Sequence, residues 1–145
     1  MKRQRFRSFL CILLSLLLMM GCLASCSSKQ KDDITAHAVI KAWFAAFENA
    51  DYEEMRPYCT VEFQEQFFHD GDVFGYATAR LQEISEHKID AGSDSYLAYQ
   101  VEVMVQPVEG SANYDEHHRT VETAFICILE KQPDGKWLIS DLDLS

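Results

Sequence analysis

The sequence predicts an α+β fold in which N-terminal helices pack on one face of a four-stranded antiparallel sheet. Two changes of pattern along the chain carry that expectation. From Asp32 onward apolar residues recur with the 3.6-residue period of a helix, whereas after about Gln82 they alternate with period 2 and β-branched and aromatic residues become more frequent. The later segments are joined by short, turn-rich connections, which suit an antiparallel meander and cannot carry the long crossovers of a parallel sheet.

Ahead of this domain the chain reads as an address. Lys2, Arg3, Arg5 and Arg7 precede an apolar run from Phe9 to Met20, broken only by Cys11 and Ser15, which ends in the small residues Gly21, Ala24 and Ser25. That order is the n-region, h-region and cleavage site of a secretory signal. A membrane-spanning helix needs about 20 apolar residues, more than this run provides. Leu23-Ala24-Ser25-Cys26 resembles the lipobox of bacterial lipoproteins, which implies cleavage before Cys26 and a diacylglyceryl group on its thiol. Cys22, after Met19-Met20-Gly21, matches less well. The expected division is a signal over residues 1–25, a lipidated cysteine and polar tether over 26–31, and one domain over 32–145. Two acyl chains hold a protein on a membrane durably because each buried methylene contributes about 0.8 kcal/mol. The expected location is therefore the extracytoplasmic face of the cell membrane.

With the signal removed, nine basic residues face 23 acidic ones, a formal charge of −14. A surface so anionic makes nucleic acid and anionic lipid headgroups poor partners. Cys59 and Cys127 either pair or lie apart as two small buried residues, and their spacing does not decide which.

The elements follow in order. Asp32 and Asp33 cap a helix whose Ile40, Trp43, Phe44 and Phe47 form a single apolar stripe, with a stop near Asn49. Asp51 caps a short segment over Tyr52-Glu53-Glu54-Met55-Arg56, which Pro57 ends. A third helical stretch carries Phe63 and Phe67 and stops at Gly71, and Asp72 to Leu81 reads as one or two further helical turns. The four expected strands are Glu83 to Asp90, Tyr96 to Gln106, Arg119 to Lys131 and Lys136 to Asp143. In the second, Leu97, Tyr99, Val101, Val103 and Val105 share a face, with Gln100, Glu102 and Gln106 opposite. In the third, Val121, Phe125, Cys127 and Leu129 share a face, although Ala124, Ile126 and Ile128 make the other face partly apolar. Gln132-Pro133-Asp134-Gly135 turns the last two strands into a hairpin.

Two runs, Ala42-Trp43-Phe44-Ala45-Ala46-Phe47-Glu48-Asn49-Ala50-Asp51-Tyr52-Glu53-Glu54-Met55 and Asp134-Gly135-Lys136-Trp137-Leu138-Ile139-Ser140-Asp141-Leu142-Asp143, resemble the first helix and the closing hairpin of nuclear-transport-factor-2-like domains. They are similar in particular to small lipoproteins of that superfamily. The resemblance spans roughly residues 33 to 144. It implies a curved sheet wrapped around a long helix into a cone, with a pocket between them. It also implies a possible isomerase- or dehydratase-like chemistry, since enzymes of the superfamily use Asp, Tyr and His in that cone.

The residues themselves point less to chemistry than to binding. Tyr58, His69, Asp70, Asp72 and Tyr76 cluster after the aromatic helix, and a carboxylate beside phenols in an apolar cavity is able to move a proton. His69-Asp70-Gly71-Asp72 nevertheless has the composition of a solvated turn, and no spacing matches a known catalytic set. Asp115-Glu116-His117-His118 offers metal-ligand types, but adjacent strand histidines face opposite ways, so a charged loop is the better reading. Trp43, Phe47, Tyr58, Phe67, Tyr99 and Phe125 are the candidates to line a pocket for an apolar ligand, each equally able to be core. The sequence thus leads to a lipid-anchored, non-catalytic binding or interaction module, with no metal and no cofactor, whose partner is a small molecule or an envelope protein. The alternatives are an enzyme of the cone and a structural accessory of an envelope complex.

Overall fold

The computed structural model describes residues 30–87, 94–111, 114 and 120–144. The signal, Cys26, the tether up to residue 29 and the Asp115–His118 cluster lie outside the described residues. By its contacts the chain divides into Met1–Ile34 and Thr35–Ser145, and the second unit carries the sheet.

Helix α1 covers residues 30–48. Its stripe is as the period requires, with Ala36, Ile40, Trp43, Phe44 and Phe47 all buried. The helix ends in a Schellman arrangement: Asp51 N–H donates to the Ala46 carbonyl at 3.0 Å, and Ala50 N–H to that of Phe47 at 3.1 Å. Ala50 holds the left-handed position, φ 54°, that glycine usually takes there. Asp51 then caps α2 (Tyr52–Met55) by accepting from Glu54 N–H at 3.0 Å, and a 3₁₀ turn (Arg56–Tyr58) containing Pro57 follows. Thr60 caps α3 (Val61–Phe67) through Phe63 N–H at 3.2 Å, while its own N–H donates to Ile139 O at 2.9 Å. That last bond, with a parallel bridge from Cys59 to Ile139, ties the short helices to the edge of the sheet.

The sheet has six strands in chain order, every neighbour antiparallel: β1 (Phe68–His69), β2 (Asp72–Val73), β3 (Tyr76–His87), β4 (Tyr96–Pro107), β5 (Val121–Lys131) and β6 (Trp137–Leu144). Along β4 the alternation holds, with Tyr99, Val101, Val103 and Val105 buried between less buried neighbours; Phe125, Cys127 and Leu129 oppose that face from β5. The β5–β6 hairpin closes through Gly135 N–H to Gln132 O at 2.8 Å. Irregular register between Tyr76 and Thr78 and between Leu81 and Glu83 bends β3, as bulges do. No described helix is long and apolar enough to cross a membrane.

Three expectations are corrected. The sheet has six strands and not four, and Asp72 to Leu81 is a strand, a two-residue turn and the start of a second strand, and not helical; the third helix stops at Phe67, short of Gly71. The cause is one turn. Phe74 and Gly75 both have positive φ, 57° and 81°, so Val73 pairs with Tyr76 across a two-residue hairpin loop. Asp72 Oδ1 accepts from Gly75 N–H at 2.9 Å and holds the loop. β3 therefore begins at Tyr76, and Tyr76 and Ala79 join the core. Cys59 and Cys127 are both buried free thiols, which settles the open question of their pairing.

Candidate functional site

The interior between α1, α3 and the sheet is built of aromatic rings in edge-on, tilted and stacked contact. Trp43 lies 5.2 Å from Phe47 and 6.0 Å from Phe63, both edge-on; Phe63 lies 4.8 Å from Phe67, and Phe67 lies 5.0 Å from Phe74. Phe74 in turn meets Phe125 at 5.6 Å and Tyr76 at 6.4 Å. The helical spacing of Trp43 and Phe47, the i, i+4 spacing of Phe63 and Phe67 and the inward face of β5 thus converge on one chain of rings. It runs from fully buried Trp43 to half-buried Phe74. Contacts of this kind add about 0.5–1.5 kcal/mol per pair beyond the area they bury.

Of the six pocket candidates, Trp43, Phe47, Phe67 and Phe125 belong to this chain. Tyr99 is buried in the same core, its ring against that of His37, 4.7 Å away and edge-on, and Tyr58 is half-buried at the margin of the core. Phe74 is not among the sequence candidates, because the pattern of its segment predicts a helix. The signal that marks it is Asp72-Val73-Phe74-Gly75, an aspartate three residues ahead of a glycine between apolar residues, which is a turn and not a helical register.

The polar groups stand at the margin. Asp70 is exposed on the β1–β2 turn, and Asp72 is engaged with Gly75 N–H. The Tyr52 hydroxyl lies 2.9 Å from the Gly71 carbonyl and 2.8 Å from that of Ala77, so its one O–H is shared between the two flanks of the hairpin loop. Burial, helped by the Asp72 carboxylate, moves the Tyr52 phenol above its ordinary pKa and keeps it a donor. Arg56 stands 4.9 Å over the Phe68 ring, pairs with Glu53 at 3.0 Å and reaches Gln64 Oε1 at 3.3 Å. Thr60 is the buried polar side chain among the described residues, and its hydroxyl is used as a helix cap.

The two thiols are chemically quiet. Burial pushes Cys59 up to about 11, against the opposing pull of the Trp43 indole, the Arg56 guanidinium and Gln64. The Trp43 N–H has no conventional partner among the described residues and lies against the Cys59 sulfur, a weak acceptor. Burial and then the Asp141 carboxylate push Cys127 up as well. Away from the rings, an open groove of about 390 Å³ runs between Pro57 and the β5–β6 hairpin, lined by Gln132, Pro133, Asp134, Lys136 and Leu138. None of the six pocket candidates lines it. No group of metal-ligating side chains is gathered among the described residues.

No protein-family model matches the chain, and no curated protein matches it in sequence. Among solved structures it is similar to one described as a "putative polyketide cyclase" from Xanthomonas campestris pv. campestris, with 14% identity, coverage of 77% of this chain and 90% of that chain, and a TM-score of 0.44. A likeness of that degree says nothing of what this chain binds or does.

Proposed function

We propose that this chain is a lipoprotein tethered by Cys26 to the extracytoplasmic face of the membrane, and that its domain is a nuclear-transport-factor-2-like cone that binds an apolar ligand without acid–base chemistry. The observation that carries the binding part is the continuous set of rings from Trp43 to Phe74, an apolar wall of the kind that small-molecule pockets use. The placement of the carboxylates argues against proton transfer. A general base must stand within hydrogen-bond reach of its substrate, and Asp72 is tied to a backbone N–H while Asp70 faces solvent. The tether part rests on the basic start, the short apolar run and Leu23-Ala24-Ser25-Cys26.

Native mass spectrometry of the protein purified from its own host tests the binding reading. A retained apolar small molecule, lost when Phe67 and Phe125 are changed to alanine in a protein that still folds, is the expected result. Turnover of a carbonyl substrate that disappears in Asp72→Asn would overturn it.

A further inference from the structure

We propose that the Phe74 ring is a built-in plug, occupying the outermost subsite of the aromatic chain until a ligand bearing a terminal, uncharged aromatic ring replaces it, and that Tyr52 is the latch that holds the plug in place. The inference rests on the binding reading above and adds the class of ligand and the means of entry.

Three observations converge on it. Phe74 occupies the first position of a two-residue hairpin loop at φ 57°, where Asn, Asp and Gly are favoured and a bulky side chain is disfavoured. Such strain persists only where the surroundings impose it, and at Phe74 the ring contacts do so. Gly75 beside it, at φ 81°, is a position that a side chain would strain, and a Cβ there would sit tightly against that of Ser111 at 3.3 Å. Second, the ring is the half-buried end of the chain, and its walls are Phe67 tilted at 5.0 Å, Phe125 edge-on at 5.6 Å and Tyr76 stacked at 6.4 Å. Those walls offer face and edge contacts to one benzene-sized ring, and none of them is charged. Third, the backbone of the loop is anchored independently of the ring. Phe74 N–H donates to Phe67 O at 2.9 Å, Val108 N–H to Gly75 O at 3.1 Å and Gly75 N–H to Asp72 Oδ1. These bonds confine opening to the turn itself: the ring leaves as Phe74 relaxes from its left-handed conformation, and Tyr52, on Gly71 O and Ala77 O, restrains the flanks that have to give.

The test places 4-fluorophenylalanine at position 74 of the full chain and follows its fluorine resonance while toluene is added, with saturation transfer to the toluene methyl group reporting binding in parallel. The expected result is a second, solvent-like resonance that grows as toluene binds. Tyr52→Phe, which keeps the ring of the latch and removes its donor, should bind toluene about three- to tenfold more tightly, the range expected when one hydrogen bond of ordinary strength no longer opposes opening. Toluene binding with the Phe74 resonance unmoved, in both the Tyr52 and the Tyr52→Phe proteins, would overturn the plug and leave the pocket standing. A folded protein that binds no toluene in either form would remove the pocket and the plug together.

Discussion

Replacing Trp43 with alanine tests the packing on which every functional statement depends. The side chain is fully buried and meets Phe44 at 4.8 Å and Phe47 at 5.2 Å on its own helix and Phe63 at 6.0 Å on α3, so it joins α1 to α3. A tryptophan buries roughly 150–250 Å², which at about 25 cal/mol per Å² amounts to about 4–6 kcal/mol, and large-to-small aromatic changes in cores cost about 3–5 kcal/mol. A unit of this size has a total stability of about 5–15 kcal/mol, so the loss takes a large share of it. With an unfolding entropy near 2.1 cal/mol/K per residue, a loss of about 4 kcal/mol lowers Tm by roughly 15–20 °C. Far-UV circular dichroism melts of the wild type, Trp43→Ala and Trp43→Phe measure it, and Trp43→Phe should recover about half of the loss because a ring still reaches Phe47. A Tm for Trp43→Ala within about 3 °C of wild type would mean that the ring chain is not load-sharing core, and the site built on it would go with it.

The remaining expectations are narrower. Neither Cys59 nor Cys127 should react with a thiol reagent at pH 8 until urea is added, since burial keeps both protonated and covered. Because the Cys59 thiol is raised from an ordinary 9.0 to about 11 by folding, the stability it contributes is whole below pH 9 and lost as pH rises through 11; urea midpoints of Cys59→Ala should fall less steeply over that window than those of wild type. Asp70→Asn should change stability by less than about 0.5 kcal/mol, and Asp72→Ala should cost about 1 kcal/mol because Gly75 N–H loses its acceptor, whereas Asp72→Asn keeps one. Cys26→Ser should abolish labelling by an alkyne fatty acid; label that persists would move the lipid to Cys22 or remove the tether. Ala50→Gly should raise stability by about 0.5–1 kcal/mol in a thermal melt, while Phe74→Gly should lower it.

What the sequence made legible is what periodicity encodes. The stripe of α1, the alternation of β4 and the β5–β6 hairpin are all local patterns written in consecutive residues, and each stands in the structure where the spacing put it. The segment from Phe68 to Leu81 departs from expectation because β1 and β2 are two residues long and the loop that leads into β3 holds Phe74 where Asn or Gly is the usual sign. Two-residue strands are too short to show a period, so the sheet was two strands short. The same error hid the outer end of the ring chain. Which aromatics touch was also beyond the sequence, since the period that puts Tyr99 on one strand face with Val101 does not say that its ring meets that of His37.

The two non-glycine residues with left-handed backbone among those described show why strain has to be weighed against contacts before it is given a function. Ala50 is exposed, and its conformation is accounted for by the two hydrogen bonds that end α1; any residue able to take that φ would serve, and glycine would serve better. Phe74 differs because its turn would form more readily with almost any small polar residue, so the loop alone gives no reason for a phenyl ring. The reason lies in the three rings it touches, and the cost of about 1–3 kcal/mol for such a conformation is offset only while those contacts are made. An aromatic side chain held against its backbone preference, at the open end of an apolar wall, is closer in free energy to leaving than Trp43 or Phe63 at the closed end. Opening should therefore begin at Phe74, and a ring presented from outside meets there the part of the core that is easiest to displace.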